Sequence, residues 1–424
     1  MHRSAWLLLA GVLGCAPLVF AQSPTDPALR EVIAGIRAVD NHAHAMPAKA
    51  SAADEAERPE PLGKTMFPYP VRLRVDNPEY REAWSALYGY AHPDMANDHA
   101  RDALRAKLQR METLGDGYPA WVLDQAGIDV MLVNMPRLGP GQTAPRFRWV
   151  VHADAMLDPF RRRSGSNPAS PTRPSPPASL DAYLGDVVKP TLARWKSEGA
   201  VAIKFAIAYA RPLDFAKVPI DEAREAYARG LGPADGPPSR EDTKSVQDFL
   251  FREIAREAGT LGLVVHIHTG VGADVRFNIS GSNPLLLESV FDDPDLRDTR
   301  FVIVHGGWPF DRSVGVMLMK PNVYADFSAQ TFLRSTQALS ETLEDWLQFY
   351  PERILFGTDA YSEDTPLANW EEKTWLTTRS ARDALGLALT RMMADGRITR
   401  ARAEALARMI LRDNAMALYG FEPR

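Results

Sequence analysis

Eight short apolar runs, each closing on polar and chemically potent residues, punctuate the chain. The first four run from Arg37 to His44 (RAVDNHAH), Ile128 to Asn134 (IDVMLVN), Phe147 to Asp154 (FRWVVHAD) and Val201 to Ala210 (VAIKFAIAYA). The later four are Leu263 to Gly270 (LVVHIHTG), Phe301 to Gly307 (FVIVHGG), Asn322 to Ala329 (NVYADFSA) and Ile354 to Ala360 (ILFGTDA). Near-continuous β-branched runs of this length are what parallel strands covered on both faces look like. Helical periodicity fills several gaps, at 119–127, 180–199, 242–261 and 336–350, and a last helix is expected over 399–418 before Gly420. Strand and helix alternating in this way predict a (β/α)8 TIM-like barrel.

Departures from the simple pattern carry information. Residues 45–127 separate the first two strands and hold helix-like pieces at 78–90 and 98–114, so a long insertion is expected to cap the barrel mouth. Met135 to Arg146 is too short for a full crossover helix. Ser164 to Ser179 (SGSNPASPTRPSPPAS) reads as a mobile loop and not as a domain linker. Residues 22–424 are therefore expected to form one barrel domain. No fixed-period repeat occurs, which argues against solenoids and propellers.

Composition narrows the classes. The 424 residues are 45% hydrophobic and 24% charged, which excludes wholesale disorder. Basic and acidic residues number 49 and 54, with no Lys/Arg-rich run, so no nucleic-acid partner is expected. A mean hydropathy of -0.25 excludes a polytopic membrane protein. The one long apolar stretch follows Met1-His2-Arg3 and leads to Val19 and Ala21, the small residues expected before a cleavage site. Residues 1–21 thus read as a signal peptide, implying a periplasmic or secreted protein with no stable membrane span after cleavage. The alternative is a lipoprotein anchored through Cys15, because Val12-Leu13-Gly14-Cys15 resembles a lipobox. Cys15 is the only cysteine, so the mature chain has no disulfide, and any metal site must use His and carboxylates.

Those residue types gather at the ends of the expected strands, the catalytic face of such a barrel. His42 and His44 lie two apart, so both can face the lumen and chelate one ion. The fifth run holds His266 and His268, the sixth ends in His305, and the eighth in Asp359. Any one of these alone could be a core residue bonded to backbone; together they point to a hydrolytic zinc site. Lys204 shares its strand face with Ala202, Ala206 and Ala208, which suits a crowded lumen. A lysine there wants an anion or its own carbamylation, unless it reaches to the barrel mouth.

The ordered set HxH, strand-four Lys, HIHTG, VHGGWPF, NVYADFS and FGTDAY, with the closing ILRDNAMALYG, resembles the amidohydrolase superfamily over roughly residues 39–420. The similarity is to the amidohydrolase-related branch, which also contains decarboxylases. By that resemblance His42, His44, His268 and Asp359 match metal-ligand positions, and His305 matches the strand-six catalytic or second-metal histidine. His266 competes with His268, which is preferred because it lies nearer the strand end. The resemblance implies a divalent metal, with Zn2+ the first choice. One ion is favoured, and two become possible with a carbamylated Lys204.

The expected function is an exported metal-dependent hydrolase acting on an amide, ester or lactone-like bond of a small molecule. Asp359, His305 and Lys204 are the expected catalytic groups. Arg211, just beyond the fourth strand, is a candidate to grip a substrate carboxylate, and Trp308 and Tyr361 are candidates to wall the pocket. Two alternatives stand beside this reading: a metal-dependent decarboxylase of a small carboxylic acid, and a non-catalytic periplasmic binding protein. A homo-oligomer is compatible with either.

Overall fold

The eight apolar runs form eight parallel strands whose order in the sheet follows the sequence. In the computed structural model they are β1 (Ala38–Ala43), β2 (Ile128–Asn134), β3 (Phe147–His152) and β4 (Ala200–Phe205), then β5 (Val264–His268), β6 (Phe301–Val304), β7 (Val323–Asp326) and β8 (Ile354–Leu355). The described residues are 24–46, 70–160, 176–231, 238–273, 277–363 and 365–422. The expected signal peptide, with Cys15, lies outside them, as does most of the 164–179 stretch. Only two residues of the eighth run ladder with β7, but its extension reaches β1. Asn41 N–H donates to Phe356 O (2.8 Å), Asp359 N–H to His42 O (2.7 Å) and His44 N–H to Ala360 O (2.7 Å), so the barrel comes nearly full circle.

Two apolar layers follow from strand alternation. Val39, Val130, Leu132, Val150, Ala202, Val264, Val302, Val304 and Leu355 point into the lumen. The Asn414–Tyr419 helix closes its floor with Ala415 and Leu418. The other parity, including Met131, Ile203, Phe205, Ile267 and Ile303, packs outward on the helices. Expected helices appear at Tyr118–Ala126, Lys189–Ser197, Arg240–Thr260 and Thr336–Leu347. Among the described residues no helix connects β2 to β3, as the short link requires. The final helix is broken: Arg400–Arg408 passes through a wider turn at Met409–Asp413 before Asn414–Tyr419, with Gly420 left-handed after it (φ 65°).

The insertion after β1 contributes helices Pro78–Tyr88 and Asn97–Leu114. Both pack on a 25-residue helix, Trp370–Ala394, that the sequence pattern did not predict. Its first turn holds Glu371, Glu372 and Lys373, all buried, which hides the apolar stripe a buried helix normally shows. At the other edge of the insertion, Leu73 packs with Ala329 and Phe332, which follow β7. Val271 and Tyr361 lie against them, so this end reaches the C-terminal rim of the barrel.

Candidate metal centre at the barrel rim

Four histidines, one aspartate and one lysine converge inside the C-terminal rim, and local backbone devices bring several of them there. A register shift between Asp40 and Ala43 turns His42 and His44 inward, while Ala43 joins the outer layer. His305 follows the inward Val304, so alternation would send it outward. Its left-handed backbone (φ 68°) returns it to the lumen. Asp359 is held in the same region (φ 54°). Such conformations cost roughly 1–3 kcal/mol each and persist only where the surroundings impose them. Here Asp326 accepts from His305 N–H (3.0 Å), and Asp40 grips Thr358 through its N–H (2.9 Å) and hydroxyl (2.6 Å).

Distances define the cluster. Asp359 Oδ1 lies 3.4 Å from His42 Nε2 and 3.6 Å from His44 Nε2, and Asp359 Oδ2 lies 3.9 Å from His305 Nδ1. Lys204 Nζ is 3.3 Å from His42 Nε2. Hydrogen bonding to the outer nitrogens sets the tautomers. His44 Nδ1 faces the Asn134 carbonyl (3.0 Å) and His268 Nε2 the Val271 carbonyl (2.8 Å); carbonyls only accept, so both nitrogens carry hydrogen. Ser328 spends its own proton on Asp326 (2.5 Å), so at 2.9 Å it accepts from His305 Nδ1–H. The remaining nitrogens, His44 Nε2, His268 Nδ1 and His305 Nε2, present lone pairs. Two of these, on His268 and His305, face each other at 3.1 Å.

Electrostatics agree. Burial, followed by neighbouring charge, holds His42, His268 and His305 well below the usual histidine value and His44 at about 3, so the imidazoles are neutral. Burial raises the Asp359 carboxyl to about 8 against the pull of Lys204, and lowers Lys204 to about 8 against the pull of Asp359. Neutral imidazoles aimed at a carboxyl group form the donor set a divalent cation takes, with the Asp359 proton displaced as the cation binds. A buried His42 Nδ1 with no hydrogen-bond partner among the described residues shows that the cluster is not satisfied by the protein alone.

The expected residues divide. His42, His305 and Asp359 meet as one group of donor atoms within 4.8 Å. His44 adjoins it through Asp359, and His268 through His305. His266 sits deeper, its Nε2 2.7 Å from the Tyr419 hydroxyl, which also reaches Asn41 (2.5 Å). Tyr361 lies beside His44, with Lys373 Nζ 3.5 Å over its ring. Trp308 is half-buried just after His305. Arg211 does not join the cluster. Its guanidinium pairs with Asp248 (2.7 Å) and stacks on Phe215 (4.6 Å), pinning the loop after β4 to the Arg240–Thr260 helix. Sequence reasoning assigned no role to His152, which alternation with Val150 could have placed. It is inward-facing and stacked 6.4 Å from the His44 ring, and 39% of its side chain is exposed.

Fold and site together describe a barrel of the metal-dependent hydrolase kind, with donors at the ends of β1, β5, β6 and β8. The chain belongs to the amidohydrolase family: residues 201–421, just over half its length, match the family model described as amidohydrolase. It is 28% identical over 201 residues to protein fluG of Emericella nidulans, a match that covers 46% of this chain but only 22% of that protein. Solved structures share the fold. A Lactobacillus casei protein described as a metal-dependent hydrolase superposes with TM-score 0.65 at 16% identity, covering 92% of this chain and 97% of its own. Uronate isomerase from Thermotoga maritima gives 0.60 at 14% identity (92% and 96% covered). Glucuronate isomerase from Caulobacter crescentus gives 0.62 at 14% identity (95% and 96%).

Proposed function

We propose that this protein is an exported metal-dependent hydrolase that cleaves an amide, ester or lactone-like bond of a small molecule. The observation that carries the reading is the convergence of inward imidazole lone pairs on Asp359, beside a buried lysine. His42, His44, His268 and Asp359 would hold a divalent ion, with zinc the first choice for this donor set. Such an ion supplies Lewis acidity and brings the pKa of water toward about 7. Asp359 then takes a proton from the attacking water on its carboxylate and returns it to the leaving group. Ser328 and Asp326 keep the His305 proton on Nδ1, so His305 meets the reacting atoms through Nε2. Lys204 brings a positive charge to the oxygen that becomes anionic.

The one-ion reading leaves His305 free. The lone pairs of His268 and His305 facing at 3.1 Å favour the alternative, in which these two would hold a second ion and a carbamylated Lys204 would supply a further anionic oxygen donor. Metal titration with an anomalous-scattering map decides the count. Function is tested by screening metal-replete protein on amide, ester and lactone panels. Turnover that vanishes on chelation and returns with zinc supports the reading. Turnover unaffected by chelation, or confined to decarboxylation, refutes it. Export is checked by N-terminal sequencing of the native protein, which should begin at Gln22.

A further inference from the structure

On the β2–β3 side of the rim, two buried acceptor oxygens have no donor. Asn134 is fully buried at the end of β2, and its Nδ2 donates to the Val150 carbonyl (3.2 Å). That bond fixes the amide's orientation, because a carbonyl only accepts, and leaves Oδ1 as the acceptor still to be paired. Oδ1 accepts no hydrogen bond among the described residues. Asp154, in the turn after β3, repeats the pattern: its Oδ1 is buried without a donor, and its other oxygen lies 3.7 Å from His152 Nδ1, beyond hydrogen-bond reach. Alternation places Asn134 and His152 of this wall inside the barrel. Asn134 continues the inward series of Val130 and Leu132, and His152 continues that of Val150. The wall also touches the metal centre, since the Asn134 carbonyl holds His44.

A buried acceptor left unpaired is destabilising, and native proteins keep few of them. Two on one wall of a candidate active site call for a ligand that brings donors. Resting on the hydrolase reading above, we infer that the β2–β3 rim is a subsite for substrate hydroxyl groups and that the substrate is a polyhydroxylated small molecule. Its reacting bond is then a sugar-derived lactone, ester or amide. An ammonium would also donate, but Lys204, which pairs with His152 across the β3–β4 ladder, places a like charge in the same lumen. A carboxylate brings only further acceptors, and Arg211 is occupied elsewhere.

The test compares ribonolactone with γ-butyrolactone, its unhydroxylated ring analogue, on the full-length metal-replete protein by calorimetric titration and by hydrolysis. Wild type should bind the hydroxylated lactone at least about 10-fold more tightly. Asp154→Ala, a change on a partly exposed turn, should erase most of that preference, read as the ratio of the two affinities. Asp154→Asn retains an acceptor and should recover part of it, and Asn134→Ser should shift the preference in the same direction as Asp154→Ala. Equal binding of the two lactones, no binding of either, or a preference that survives in both Asp154→Ala and Asn134→Ser would overturn the subsite; the last outcome means that water alone fills these acceptors. Discrimination in binding without turnover sinks the hydrolase reading and leaves the subsite standing. Turnover without discrimination does the reverse.

Discussion

Two buried lysines, both pushed down by burial, end on opposite sides of the ordinary lysine value. Lys107 lies between the insertion and the Trp370–Ala394 helix, where its ammonium donates to Pro366 O (2.7 Å), Glu371 (3.0 Å) and Glu372 (3.0 Å). Tyr88 donates to Glu372 (2.7 Å), and Glu372 in turn caps the helix through Asn369 N–H (2.9 Å). Burial alone would lower Lys107, yet the two carboxylates raise it above the usual lysine value. Lys204 in the barrel has a histidine as its nearest partner, and burial wins, lowering it to about 8. Around Lys107 the charges are answered by protein, and the cluster is structural. Around Lys204 the carboxyls of Asp359, Asp326 and Asp154 act only from a distance, and the rim keeps unanswered lone pairs, an unpartnered His42 nitrogen and two left-handed backbones. Unsatisfied polar groups gathered beside converging imidazoles mark the rim as the place a ligand would complete.

The sharpest break of that contrast is Asp359→Ala. It should remove bound metal and lower turnover by roughly 10³-fold or more, while the urea midpoint of the metal-free protein falls little or rises. A variant that kept both stoichiometric metal and activity would place the site elsewhere. The reverse pattern is expected of Lys107→Ala, which strands two buried carboxylates and should cost about 3–5 kcal/mol in urea unfolding. Lys204→Met, measured without metal, should cost less than about 1.5 kcal/mol, as an ordinary hydrophobic replacement does. Equal losses in Lys107→Ala and Lys204→Met would erase the distinction.

A finer test stays within the rim. Ser328→Ala removes the oxygen that accepts the His305 Nδ1 proton and should reduce metal affinity or turnover by roughly 10- to 100-fold. The same change should leave global stability within about 1.5 kcal/mol of wild type. A loss of stability with unchanged metal binding would make Ser328 a packing residue.

How much of this could be read in the sequence depends on which physical signal each element carries. Seven strands declared themselves as apolar runs. β8 did so too, but Gly357-Thr358-Asp359 leaves the ladder after two residues to turn into the site. The inward faces of Lys204, His266 and His268 follow from simple alternation. That of His305 does not, because a single left-handed residue reverses the parity, and no residue type announces it. The Trp370–Ala394 helix escaped because its Glu371, Glu372 and Lys373 are polar and buried together, a pairing visible only once Lys107 arrives from the insertion. The pairing of Arg211 is hidden for the same reason: Asp248, its partner, is 37 positions away in the chain.

The smallest effect concerns a charge pair outside both buried clusters, and it shows what solvent does to the comparison. Asp26 accepts two bonds from the Arg400 guanidinium, each 2.7 Å, and caps the Pro27–Gly35 helix through Leu29 N–H (2.9 Å). Arg400 first, then the Leu29 amide, holds the Asp26 carboxyl well below its ordinary value of 3.8. A carboxyl depressed in the folded state contributes stability that is complete above the unfolded value and is lost as pH falls below it. Arg400→Ala removes the larger cause while keeping the cap. Its melting temperature should therefore sit slightly below that of wild type at neutral pH, with the gap closing as pH drops through about 4 and below. Because the pair is open to water, added salt should also narrow the gap. The Lys107 cluster, closed to water, should keep its much larger deficit in the same salt. A gap for Arg400→Ala that stayed constant from neutral pH into the acid range would show that this arginine acts through packing and not through charge.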